Sequence, residues 1–111
     1  MKAVSIVTPG KIEIIELPDP TPSNSEVVVE VAAVGICGTD LHIFEGEFAP
    51  KFPITPGHEM TGTVVAIGKD VTEVKIGDPV AVDPSVYCGE CFYCRRARGN
   101  LCEKWNALGV S

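Results

Sequence analysis

Apolar and polar residues along this chain change places every one or two positions in short runs that end at glycine or proline, a spacing suited to strands and not to a buried helix face. Lys2 to Val7 and Lys11 to Glu16 read as the arms of a hairpin around Pro9-Gly10, the second arm setting Ile12 and Ile14 against Glu13 before Ile15 breaks the alternation. Leu17 to Pro22 holds three prolines, which remove ladder donors and predict an extended surface crossing. Glu26 to Val34 is the richest strand signal, with Val27, Val28, Val29, Val31 and Val34, and is expected at the centre of a sheet. Gly35 to Asp40 ends it, and Asp40 to Phe44 predicts a single helical turn capped by Thr39 or Asp40. Glu45 to Pro56, with Pro50, Pro53 and Pro56, reads as an irregular loop. Thr61 to Ile67 predicts a strand, Gly68-Lys69-Asp70 a turn, and Val80-Ala81-Val82 a further strand after the Gly77-Asp78-Pro79 corner. The expected fold is mostly β: a barrel-like domain with one inserted loop.

Composition narrows the function. The 111 residues, 45% of them apolar, suffice for one domain spanning 1–111 and not for two. Fifteen acidic against nine basic side chains, a formal net charge of -6, argue against a nucleic-acid partner or a polybasic membrane surface, since both require a positive field. The apolar run after Met1 is too short for a signal peptide, and no stretch approaches the ~20 apolar residues of a membrane span. A cytoplasmic location is therefore expected, where clustered cysteines are metal ligands more often than disulfides.

From Asp83 the composition changes. Cys88, Cys91, Cys94 and Cys102 are spaced C-x2-C-x2-C-x7-C, three thiols on a tight turn and a fourth brought back across a short arm. Four thiolates suit a closed, tetrahedral structural zinc, and a lobe from about residue 83 to 105 is expected to be braced by it. Arg95, Arg96, Arg98 and Lys104 outnumber Glu90 and Glu103, a local sign that would depress thiol pKa values. A ferredoxin-type run would have x3 and a following proline where this chain has x7 and Glu103, and two disulfides would need an oxidising compartment. Trp105, beside the lobe, reads as a packing residue.

The fifth cysteine, Cys37, lies between Ile36 and Gly38-Thr39-Asp40, and His58 lies between Gly57 and Glu59. On the residues alone a single cysteine after a strand reads first as a small buried hydrophobe, and His58 likewise as a packed side chain, although both are residue types that zinc favours and Asp40 and Glu59 stand beside them. Here the chain resembles a known family: Gly57 through Val71 follows the zinc-containing alcohol dehydrogenase signature G-H-E-x2-G-x5-[GA]-x2-[IVSAC] without a mismatch. Cys37-Gly38-Thr39-Asp40 with His42, the Val74-Lys75-Ile76-Gly77-Asp78-Pro79-Val80 corner and the four-cysteine lobe follow in the family's order. The whole chain is similar to the N-terminal, GroES-like catalytic domain of medium-chain dehydrogenases, a partly open β-barrel carrying a cysteine-rich structural-zinc lobe.

That resemblance implies roles. Cys37 and His58 match the catalytic zinc ligands, and Glu59 matches a neighbouring glutamate that ligates in polyol-type members. Asp40 matches the carboxylate that orients the histidine ligand, and Thr39 and His42 match the hydroxyl and imidazole of a proton relay. It further implies NAD or NADP as hydride acceptor, a small alcohol or polyol as substrate, and a homo-oligomeric parent. No G-x-G-x-x-G or βαβ pattern is present, so the dinucleotide domain is expected to lie outside these residues, the chain being a truncated piece of a longer enzyme. Two other readings stand beside this one. The first is a non-catalytic, metal-braced interaction module; the second is a zinc-free reductase, whose relatives generally lack the cysteine-histidine pair and the four-cysteine lobe.

Overall fold

The computed structural model describes residues 1–48 and 50–111; position 49, inside the expected Glu45–Pro56 loop, lies outside the described residues. Strands β1 (Lys2–Thr8) and β2 (Lys11–Glu16) form the expected antiparallel hairpin, with Lys2 opposite Glu16 and Ile6 opposite Ile12. A second sheet runs in the order β3 (Val27–Gly35), β4 (Glu59–Ile67), β5 (Pro79–Ala81), all antiparallel. A third pairs β6 (Ser85–Val86) with β7 (Asn106–Ala107) at the base of the cysteine lobe. The valine-rich strand β3 is thus not central among the described residues: β4 holds that place, with partners on both sides. β-Branched content reports fit to a pleated surface and not the number of neighbours, so it could not rank the two.

Between β3 and β4 lies helix α1 (Gly38–Glu45), longer than the single expected turn. Its N-cap is neither Thr39 nor Asp40 but Cys37, whose Sγ accepts the Thr39 N–H at 3.3 Å while the Asp40 carboxylate accepts the Cys37 N–H at 2.9 Å. This reciprocal capping box satisfies two N–H groups that a helix start otherwise leaves without partners.

The core is small: Ile6, Ile43, Ala107 and Val110 are buried together, with Phe44, Phe52 and Ile54 packed against them. Ile6 and Ile54 exchange backbone hydrogen bonds of 2.8 and 3.0 Å, so the first hairpin is tied to the segment that leads into His58. The three sheets do not close into a barrel, and Val31, Val34 and Ile36 remain exposed. Among the described residues no helix is long and apolar enough to cross a membrane.

Candidate metal centres

Two chain segments meet at Cys37. The cap of α1 supplies its thiol, the residue before β4 supplies the His58 imidazole, and the first residue of β4 supplies the Glu59 carboxylate, with ligand atoms of all three within 4.8 Å of one another. Cys37 Sγ and His58 Nε2 are 3.2 Å apart. In a regular strand Glu59 would point away from His58, but the strand begins only at Glu59, and Gly57 just before it takes φ 102°, a left-handed conformation natural to glycine. That turn allows neighbouring side chains to face one space. Opposite Glu59 in the ladder is Gly35, where a side chain would collide with the Glu59 carboxylate.

The far side of the imidazole is equally informative. His58 Nδ1 is buried and has no hydrogen-bond partner, yet the Asp40 carboxylate faces it at 3.6 Å. Asp40 is itself held by the N–H groups of Cys37 at 2.9 Å and Gly57 at 3.3 Å. A thiol, an imidazole and a carboxylate, with a second carboxylate facing the far side of the ring, form a donor set suited to zinc with an open position.

In the first turn of α1, Thr39 is half-buried with its N–H on the Cys37 sulfur, and His42, three residues on and therefore on the same helix face, is exposed. Both line an open cavity of about 470 Å³ together with Glu47, Phe48, Trp105 and Val110. Trp105, 44% exposed, forms part of this wall. Glu47 was not foreseen: its carboxylate meets His42 Nδ1 at 2.5 Å, a contact that a reading of Glu45 to Pro56 as irregular loop hides. Its only sequence signal is an acid five residues past a histidine with Gly46 between them.

In the lobe, the sulfurs of Cys88, Cys91, Cys94 and Cys102 also lie within 4.8 Å of one another, and all are free thiols. Cys88 and Cys94 sulfurs are 4.0 Å apart, close to the ~3.8 Å edge of a tetrahedron built on Zn–S bonds of about 2.3 Å. The chain folds around the sulfurs through 3-10 turns at Cys94–Arg96 and Gly99–Leu101. Backbone N–H groups point at them: Cys88 donates to Cys102 Sγ at 3.3 Å, Cys94 to Cys91 Sγ at 3.5 Å and Lys104 to Cys102 Sγ at 3.4 Å. The Cys94 N–H, above all, holds the Cys91 thiol down to about 6, and the Cys88 N–H lowers that of Cys102, whereas burial pushes Cys94 up to about 12. Main-chain donors, and not the arginines expected to do so, lower the Cys91 and Cys102 thiols. Arg96 instead stacks over the Phe92 ring at 3.7 Å, and Lys104 reaches Glu90 at 2.7 Å.

Comparison with known proteins places the class. The family model of the alcohol dehydrogenase GroES-like domain matches residues 23–110, and this chain belongs to that family. It is 44% identical to D-arabinitol dehydrogenase 1 of Uromyces fabae over 100% of its own length and 32% of that protein's, and 42% identical to the sorbitol dehydrogenase of Bacillus subtilis over 92% and 30%. Among solved structures, a short chain alcohol dehydrogenase from Escherichia coli complexed with cofactor NADH superposes with a TM-score of 0.92 at 44% identity, over 99% of this chain and 32% of that one.

Proposed function

We propose that these residues are the zinc-binding catalytic segment of an NAD(P)-dependent dehydrogenase acting on small alcohols, polyols in particular. The chain spans about a third of the length of the curated relatives it matches, and those relatives include dehydrogenases of D-arabinitol and sorbitol. A relative of the same fold complexed with NADH supports a nicotinamide as the hydride acceptor, bound by residues beyond these. One observation carries the reading: Cys37, His58 and Glu59 converge while the buried His58 Nδ1 looks only toward Asp40. A structural brace has no use for this second donor set, and a zinc-free reductase has none for either.

In this reading Cys37, His58 and Glu59 hold one zinc, and Cys88, Cys91, Cys94 and Cys102 hold another that shapes the lobe. Zinc in the first site supplies Lewis acidity toward an alcohol or carbonyl oxygen. Asp40 fixes the His58 ring, so that Nε2 is the nitrogen presented beside Cys37. The Thr39 hydroxyl accepts the alcohol proton as it gives its own toward His42, which lines the same cavity, and the exposed His42 ring releases a proton to water.

The test is turnover of the full-length parent enzyme with polyols and NAD or NADP. The unaltered enzyme is expected to oxidise them, and Cys37→Ala to lose about 10³-fold or more in kcat/KM. Full activity in the variant, or no oxidation of any alcohol by the unaltered enzyme, contradicts the proposal.

A further inference from the structure

Helix α1 ends at Glu45, and Gly46, left-handed at φ 81°, turns the chain back on it. The N–H groups of Glu47 and Phe48 then both donate to the His42 carbonyl, at 2.9 and 3.2 Å. The returning segment is thus anchored by its backbone on the residue whose side chain it also meets. His42 Nδ1 and Glu47 Oε2 are 2.5 Å apart, and both side chains line the cavity shared with Thr39.

A carboxylate can only accept, so the proton in this contact belongs to the ring nitrogen. A neutral imidazole has one N–H; placing it on Nδ1 leaves Nε2 with the free lone pair. The Glu45 carboxylate also comes within 4.8 Å of this pair but makes no hydrogen bond to the ring. Both His42 and Glu47 side chains are more than half exposed, and exposed ion pairs add little to stability, so the consequence of the contact is which tautomer is populated.

We propose that Glu47 is a positioning residue for His42, holding it in the Nδ1–H tautomer so that Nε2 is the nitrogen able to accept a proton in the Thr39 cavity. This rests on the relay reading of Thr39 and His42, but it can be tested without turnover. His42 and His58 are the only histidines, so nitrogen-labelled histidine in the zinc-loaded 111-residue chain gives two ring systems to assign. The spectra are recorded at a pH where the imidazole is neutral.

His42 is expected mainly as Nδ1–H. Glu47→Ala should shift its tautomer ratio roughly tenfold toward Nε2–H, as loss of a charge-assisted hydrogen bond implies. Glu47→Gln, whose amide oxygen can still accept, should keep most of the Nδ1–H form, and Glu45→Ala should leave the ratio unchanged. An Nε2–H majority in the unaltered chain, or a ratio unmoved by Glu47→Ala, overturns the proposal. If Glu47→Ala fails to fold, the unaltered chain and Glu47→Gln decide. The relay reading fails separately, if His42→Ala leaves turnover of the parent enzyme intact.

Discussion

A Cβ on Gly35 would lie 2.5 Å from Oε2 and 3.2 Å from Cβ of Glu59, the residue it faces across the β3–β4 ladder. The flexible carboxylate can move, so the substitution acts on the donor set more than on the fold. Gly35→Ala is expected to weaken zinc at the Cys37–His58–Glu59 site about tenfold, measured by competition with a chelator, while zinc in the cysteine lobe is unaffected. At this scale the sequence was most readable where side chains sit inside a contiguous motif. Gly57-His58-Glu59 and Cys37 through His42 pointed to Cys37, His58 and Glu59, whose ligand atoms the fold gathers within 4.8 Å, and to Thr39 and His42, which line one cavity. Glu47 escaped because it reaches the cavity by a chain reversal at Gly46, and local spacing carries no signal of where a reversed chain returns.

Elements of regular alternation were legible nearly to the residue: the β1–β2 hairpin and β4 stand where the pattern put them. The α1 cap was not, because a cysteine sulfur serving as N-cap acceptor lies outside the Ser, Thr, Asp and Asn preference on which the expectation rested. The lobe has only the two-residue β6–β7 ladder and short 3-10 turns as regular structure. Removing its metal is therefore expected to free amide exchange across residues 83–105 while β1 and β2 stay protected, which hydrogen-exchange mass spectrometry can read. At the entry to β3, the Ser23 hydroxyl and N–H hold the Glu26 carboxyl below its ordinary 4.5. A lowered folded-state value stabilises above 4.5 and is lost as pH falls through that lowered value. Glu26→Gln should thus lower Tm slightly at pH 7, and the difference from the unaltered chain should vanish in strong acid.

Taken whole, the molecule is looser than its length requires: its radius of gyration is 15.3 Å, against about 13 Å for a compact chain of this size. Large apolar side chains stay exposed, Ile36 at 83% and Ile14 at 75%, and an apolar groove of about 650 Å³ runs past Val4, Ile12, Val34 and Leu41. The mostly β character was readable from the chain, whereas the open arrangement of three sheets was not, since strand patterning says which face is apolar and not what covers it. Within this open frame the two donor sets are separate, one at the α1–β4 junction and one in the lobe, and two metals per chain are the central expectation. Native mass spectrometry of the zinc-loaded chain before and after mild chelation tests it directly. Two zinc ions are expected, falling to one on mild chelation, with Cys37→Ala taking up only the retained ion. A single zinc under all conditions, with uptake unchanged by Cys37→Ala, would contradict it.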